Sequence, residues 1–225
     1  MSFFVENTTP VSELKEFKQV PAGLHLARCY RIIDLGTQRT EFEGQEKFQR
    51  RIMLGWELHG KDDEGNELVT EYGDPMAIFK NYTLSWHEKA TLRLDLQNWR
   101  GKPFTPQEMR RFDLSTVLGA WCMLTVIQRA SKKEGKTDRV YANVKAVSPV
   151  PSIIKANGFP PAINPNQMFR LAEPDFELYE TLGKGLKAII EASPEWQAIQ
   201  DKKPAQKADK ASSSGFDDMD DDLPF

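Results

Sequence analysis

The sequence predicts a mainly β protein with helical insertions, and the alternation of side chains is the first reason. Over residues 47–58, Ile52 and Trp56 share one parity, while Lys47 and Arg51 share the other. This alternation is typical of a strand in a sheet with one buried and one solvated face. The other two reasons are turn signals between such stretches and a helical period in the middle of the chain.

Five strands and one helical segment are predicted in a definite order. Two capping boxes, Ser85 with Glu88 and Thr105 with Glu108, predict helix starts in the middle of the chain. Pro106 suits the first helical position after Thr105. The predicted strands lie before and after this segment, at residues 24–35, 47–58, 68–72, 121–129 and 139–147.

Three strands, a helical segment and a two-strand hairpin is the order of a five-stranded OB-fold barrel with a helix between strands 3 and 4. The exposed strand face and loops of that fold bind oligonucleotides. A generic antiparallel sheet with a helix fits the same order, so both architectures remain open. The predicted divisions are an N-terminal arm (1–20), an OB-fold DNA-binding domain (21–151), a C-terminal helical extension packing on the barrel or a subunit interface (152–200), and a disordered linker with an acidic docking tip (201–225).

The last ten residues combine charge with an apolar end. Residues 202–215 are rich in Lys, Ala and Ser, a composition that does not bury enough apolar surface to fold. Beyond them lie five aspartates and an apolar tripeptide: Asp217, Asp218, Asp220, Asp221, Asp222, Leu223, Pro224 and Phe225. This end resembles the partner-docking tip of bacterial single-stranded-DNA-binding proteins. The alternative is a solubilising acidic tail, which has no need of Leu-Pro-Phe at its end.

Charge is distributed unevenly along the chain. The 225 residues carry a net charge of −3, and the tip holds 5 of the 33 acidic residues and none of the 30 basic ones. The remainder is therefore weakly basic, which suits a body that meets a polyanion. No apolar run approaches the roughly 18 residues of a membrane span. The absence of a secretion signal and the predicted buried thiols at Cys29 and Cys122 favour the cytoplasm of a bacterial host cell.

Cations and aromatic residues are the groups that a single strand of nucleic acid requires, because cations follow phosphates and aromatic faces receive bases. Tyr72, Phe79 and Tyr82 are candidate stacking residues, although the core is favoured for Phe79 and Tyr82. The lysine-rich loop between the last two predicted strands contains Lys132, Lys133 and Lys136. Its alternative interpretation is an ordinary solvated turn. The predicted single-stranded-DNA-binding residues are Lys47, Arg51, Tyr72, Tyr82, Arg129, Lys132, Lys133, Lys136, Arg139, Tyr141 and Lys145.

Signals of catalysis are weak. His25, His59 and His87 are scattered without a second ligand at metal spacing. No nucleophile-elbow, Walker-type or zinc-protease motif occurs. The sequence therefore predicts neither an enzyme nor a cofactor or metal.

The body of the chain carries a second, independent resemblance. Residues 94–105 (Leu-Asp-Leu-Gln-Asn-Trp-Arg-Gly-Lys-Pro-Phe-Thr), 112–114, 141–144 and 148–151 resemble a group of phage and prophage replication-region proteins, over roughly residues 20 to 195. The resemblance implies an OB-type fold, single-stranded DNA as ligand, and a role in phage replication or recombination. The separate resemblance of the tail implies replication or recombination proteins as partners of the tip. The body is longer than the cellular type and has a large helical insertion, so the homo-oligomer of that type is left open.

Two other functions stay open at this point. One is a replisome adaptor whose OB-type domain binds protein and not DNA; substituting Arg139, Tyr141 and Lys145 together separates the two, because only DNA binding needs that face. The other is a nuclease or another DNA-processing enzyme, disfavoured by the missing carboxylate and histidine constellation.

Overall fold

The computed structural model describes residues 19–42, 44–130 and 140–202. The strands are β1 (Gly23–Phe42), β2 (Gln45–His59), β3 (Ala77–Thr83), β4 (Trp121–Ala130), β5 (Val140–Ser148) and β6 (Gln167–Phe169). The helices are α1 (Thr91–Arg100), α2 (Pro106–Arg111), α3 (Ser152–Asn157), α4 (Phe176–Glu180), α5 (Lys184–Glu191) and α6 (Pro194–Lys202), with a 3-10 turn at Leu114–Val117. The prediction of a mainly β chain with helical insertions is confirmed.

The strands of the described residues form one antiparallel open sheet in the order β3-β2-β1-β4-β5, and β6 pairs with β1. β1 pairs with β4 from Gly23 opposite Val126 to Arg28 opposite Trp121. The end strands β3 and β5 are not hydrogen-bonded neighbours, yet their Cα atoms approach within 8 Å. Helix α1 contacts both of them.

The third strand lies later in the chain than predicted. Residues 68–72 form no strand, and the third strand is Ala77–Thr83. Only single bridges occur before it, between Lys61 and Glu67 and between Val69 and Pro75. Gly73, at a φ of +83°, and Pro75 turn the chain too soon for residues 68–72 to extend as a strand.

One of the two predicted capping boxes is present. The Glu108 carboxylate accepts from the Thr105 backbone N–H at 2.8 Å, and the Thr105 hydroxyl accepts from the Glu108 N–H at 3.2 Å. The box at Ser85 is wrong, because α1 begins at Thr91 with Ala90 as its N-cap. The Ser85 hydroxyl instead accepts from the His87 N–H at 3.2 Å, which closes a local turn before the helix.

The described residues divide into two compact units. The first comprises residues 19–33 and 52–168, and the second comprises residues 34–51 and 169–202. This division assigns residues 152–168 to the first unit and residues 34–51 to the second. The divisions predicted from composition are continuous segments of the chain. The compact units are defined by spatial contacts, so each contains segments that are distant in sequence.

The first unit has one apolar core inside the sheet. Trp56 of β2 is fully buried, and its ring centre lies 6.2 Å from that of Trp99 on α1. Cys29 and Cys122 are buried free thiols, as predicted. Burial raises the pKa of Cys29 to about 12, so this thiol stays protonated and unreactive.

The second unit is held by an aromatic cluster and a polar contact. Trp196 stacks on Tyr179 with 4.4 Å between ring centres, and both are buried. The Glu195 carboxylate accepts from the Thr37 backbone N–H at 2.8 Å and from its hydroxyl at 2.6 Å. The predicted C-terminal helical extension includes α4 and α5 as separate helices, with Gly183 as the N-cap of α5.

Candidate nucleic-acid interface

A cleft of about 360 Å³ opens in the first unit where β3 and β5 approach each other without pairing. The small side chains of Ala77 on β3 and Ala142 on β5 leave the space between the strands. Among the described residues, its lining comprises Gln19, Val20, Thr70, Met76, Ala77, Ile78, Phe79 and Ala142. We refer to this feature as the β3–β5 cleft.

One exposed aromatic side chain lines the β3–β5 cleft, and two others lie on the segments that form it. Phe79 lines it and is 41% exposed. Tyr141 is 45% exposed and lies on the face of β5 opposite to that of the lining residue Ala142. Tyr72 is 74% exposed in the turn that follows the lining residue Thr70. That turn is closed by the Tyr72 N–H donating to the Thr70 hydroxyl at 3.3 Å. Exposed aromatic faces suit the stacking of bases.

The position of Phe79 depends on β2 and β1. A Cβ atom at Gly55 would lie 2.6 Å from the Phe79 ring, so the ring occupies the space that a side chain at position 55 would fill. The Arg31 guanidinium lies 6.0 Å from the centre of the Phe79 ring and 5.2 Å from that of Tyr30. The Arg31 Nε–H also donates to Gln167 Oε1 at 2.6 Å. A held cation therefore stands beside an exposed aromatic face.

The β4–β5 hairpin adds cations beside Tyr141. Arg129 is the register partner of Tyr141, and both side chains are exposed. The register shifts at Thr125 so that Lys145 becomes the extra residue of a bulge, and it too is exposed. Among the described residues, no ion pair involves Arg129 or Lys145. Exposed cations at these positions suit contacts with phosphate.

Tyr82, proposed from the sequence as a stacking residue, lies in the core. It is 2% exposed, and its hydroxyl donates to Asp95 Oδ2 at 2.8 Å. Burial and the neighbouring Asp95 carboxylate raise its pKa. The alternation of β3 explains the position, because Tyr82 shares the inward parity of Ile78. Tyr82 is therefore removed from the candidate interface.

The remaining predicted residues fall elsewhere. Lys47 and Arg51 lie on β2 in the second unit, where Lys47 is exposed and Arg51 is partly buried. Lys132, Lys133, Lys136 and Arg139 lie outside the described residues, as do the docking-tip residues Asp217, Asp218, Asp220, Asp221, Asp222, Leu223, Pro224 and Phe225.

The list of predicted DNA-binding residues omitted two members of this surface, Phe79 and Arg31. Phe79 was favoured as a core residue, but it has the parity opposite to Ile78 and Tyr82 on β3. Correct placement of the third strand would have put it on the outward face. No sequence pattern indicates the role of Arg31, because its contact with Phe79 joins residues of two strands that are distant in sequence.

A second polar cluster in the first unit is buried and saturated with hydrogen bonds. Glu57, fully buried, accepts from Arg28 Nε at 2.6 Å and from both the backbone N–H and the side-chain amide of Asn164 at 2.7 Å. His59 Nε2 lies 3.1 Å away. Burial favours the neutral carboxyl, but hydrogen bonds from Arg28, Asn164 and His59 outweigh it and lower the pKa of Glu57 to about 2. A carboxylate with this many donors fixes the chain at residue 164 and is not poised to move a proton.

Two features are absent from the described residues. No group of three or more His, Cys, Asp or Glu side chains has a geometry suited to a metal ion. None of the helices described is both long and apolar enough to cross a membrane.

Comparisons with known proteins assign no family. No family model matches the chain, and neither a search of curated proteins nor one of solved structures found a match. Function is therefore inferred from the fold and the chemistry of the surface around the β3–β5 cleft.

Proposed function

We propose that this chain binds single-stranded DNA without sequence preference, in phage DNA replication or recombination, and recruits partner proteins through its acidic C-terminal tip. One observation carries the DNA-binding part. The exposed aromatic ring of Phe79 lines the β3–β5 cleft beside the Arg31 guanidinium, and the exposed side chains of Tyr141, Arg129 and Lys145 lie on the β4–β5 hairpin.

The strand order supports an OB-type barrel. That fold is a five-stranded, partly open barrel whose binding surface includes the faces of its second and third strands and nearby loops. Here the path β3-β2-β1-β4-β5 brings its two ends within 8 Å, and α1, between the third and fourth strands, contacts both end strands. Phe79 and Gly55 lie on the third and second strands, where the fold places its ligand.

The chemistry of the surface favours a single strand over a duplex. Bases stack on aromatic side chains only when they are unstacked from their neighbours, and each such contact contributes about 1–3 kcal/mol. Stacking does not distinguish bases, because every base has a π face. Arg129, Lys145 and Arg31 supply positive charge for phosphates on either side of the aromatic residues.

The role of the tip rests on the sequence. Its five aspartates repel the phosphates of DNA and complement a basic surface, while Leu223, Pro224 and Phe225 offer an apolar end for a pocket. The tip therefore competes with DNA for the basic body in the absence of a strand. Its removal tightens DNA binding and abolishes partner recruitment.

A titration of fluorescently labelled oligo-dT, a matched duplex and oligo-U at several salt concentrations tests the proposal. We expect oligo-dT to bind more tightly than duplex, with an affinity that falls as salt rises by a slope of about −0.7 per phosphate contacted. Failure to bind any strand at low salt would overturn DNA binding and favour the adaptor function, in which the same surface binds protein.

A further inference from the structure

We infer that the β3–β5 cleft is a subsite for one unstacked nucleobase of the bound strand, with the exposed ring of Phe79 in its lining. This inference rests on the proposed function and deepens it. The proposed function requires only that bases stack on the surface, and the inference adds that one base is enclosed in the cleft. The cleft holds about 360 Å³. That volume lies at the lower end of the range of small-molecule sites.

The space exists because both end strands carry alanine at the same opening. Ala77 on β3 and Ala142 on β5 line the cleft from opposite sides, and Val20 and Ile78, both buried, form part of its apolar lining. A larger side chain at either alanine would occupy the opening. The lining is therefore apolar on the faces that a flat ring would contact.

Polar groups lie where the edge of a base needs partners. The Thr70 hydroxyl accepts from the Tyr72 N–H at 3.3 Å, which leaves its own hydrogen to donate to a ligand. The Gln19 amide donates to the Val140 carbonyl oxygen at 2.5 Å, and its Oε1 has no partner among the described residues. One donor and one acceptor are thus presented by side chains whose other hydrogen bonds fix them in place.

The aromatic ring in the lining favours a base over a peptide as the occupant. Phe79 lines the cleft and is 41% exposed, and an exposed aromatic face offers a flat ring a stacking partner. The Arg31 guanidinium, 6.0 Å from the centre of that ring, adds positive charge for the phosphate of the same nucleotide. A peptide strand offers neither a planar base nor a phosphate.

NMR of the full chain labelled at the alanine methyl groups tests the location directly. On addition of oligo-dT, the methyl signals of Ala77 and Ala142 should shift strongly, because an enclosed base imposes its ring current on them. The Ala146 methyl is the internal control. It also lies on β5, but it lines a different cleft with Gln97 and Asn98, so its signal should move little.

Filling the cleft tests its contribution to affinity. We expect Ala142→Leu to weaken oligo-dT binding at least fivefold, since stacking of one base contributes that much or more. Its affinity for an abasic oligomer of equal length should stay within twofold of wild type, because phosphate contacts persist. Ala146→Leu, the matched control, should leave both affinities unchanged.

The outcomes separate this inference from the proposed function. If wild-type protein binds no oligo-dT, the proposed function itself fails. If oligo-dT binds but the Ala77 and Ala142 methyl signals do not move, the subsite is wrong and the function stands. An Ala142→Leu variant that binds oligo-dT as wild type does, or that loses equal affinity for both oligomers, overturns the subsite too. The NMR result decides alone if this variant does not fold.

Discussion

The missing side chain of Gly55 makes room for the ring of Phe79. A Cβ atom at position 55 would stand 2.6 Å from Cε1 and 2.7 Å from Cδ1 of that ring, closer than real Cβ atoms approach. Because Phe79 is 41% exposed, its ring has solvent to move into. The two residues therefore form a positioning pair on the outer face of β2 and β3, in which a change at one displaces the other.

Gly55→Ala should therefore weaken DNA binding more than it weakens the fold. The new methyl group pushes the Phe79 ring off the face, and we expect a several-fold loss of oligo-dT affinity by fluorescence anisotropy. The midpoint of thermal unfolding should change by only a few degrees, since a ~1 kcal/mol change has an effect of that size.

A double-mutant cycle provides the control for this pair. In a Phe79→Ala background, Gly55→Ala should have little further effect on affinity, because the ring is gone and the remaining neighbour, Arg31 Cβ at 3.3 Å, needs to shift by only a few tenths of an ångström. Equal losses in the presence and absence of Phe79 would show that Gly55 acts by another route.

Tyr141→Ala should lower the affinity for oligo-dT by about 1–3 kcal/mol, the usual contribution of one stacked base. Tyr141→Phe keeps the aromatic face and should bind as wild type does. Loss of affinity in both variants would assign the effect to the hydroxyl and not to stacking.

Tyr82→Phe should lower the stability of the fold and leave oligo-dT affinity unchanged, whereas Tyr141→Ala should lower the affinity. It removes the hydroxyl that donates to Asp95 inside the core, so the free energy of unfolding should fall by about 1–2 kcal/mol. Oligo-dT affinity, measured well below the unfolding temperature, should not change, because Tyr82 is 2% exposed. A loss of affinity without a loss of stability would return Tyr82 to the interface.

The cations of the β4–β5 hairpin should appear in the salt dependence of binding. Replacing Arg129 or Lys145 by Gln should reduce the steepness of log Kd against log salt by about 0.7 each, since each change removes one phosphate contact. Arg111→Gln is the control, because Arg111 is an exposed cation on α2. An unchanged slope in both hairpin variants would remove them from the phosphate path.

Glu57 should make the stability of the fold depend on pH in the acid range. Its pKa is lowered to about 2 from 4.5, so its ionised form stabilises the fold above pH 4.5. That stabilisation, on the order of 3 kcal/mol, is lost as the pH falls from 4.5 towards 2. The groups that face it are Arg28, His59 and the amides of Ile163 and Asn164.

Glu57→Gln tests this pH dependence by chemical denaturation at several pH values. The variant should be less stable at neutral pH, because Arg28 loses its buried partner, and its stability should vary less between pH 4.5 and 2. Glu173→Gln, at an exposed residue, should keep the wild-type profile. A Glu57→Gln profile parallel to that of wild type would show that other carboxylates cause the acid sensitivity.

Local sequence patterns predicted most of the strands and one helix start. The alternation over residues 47–58 and 121–129 lies within β2 and β4, and the box at Thr105 and Glu108 begins α2. These features depend on neighbouring residues alone. The third strand was misplaced because residues 68–72 have strand-like composition, while Gly73 and Pro75 impose a turn.

The sequence by itself determined the strand-helix-strand order, the outward parity of Tyr141 and Lys145, and the chemistry of the acidic tip. Only the tertiary structure decided that Gly55 and Arg31 fix the Phe79 ring and that Ala77 and Ala142 face each other across a cleft. It also decided that residues 34–51 and 169–202 form one compact unit. The physical reason is that parity depends on the geometry of a single strand, whereas the facing of two side chains depends on the order in which distant strands associate.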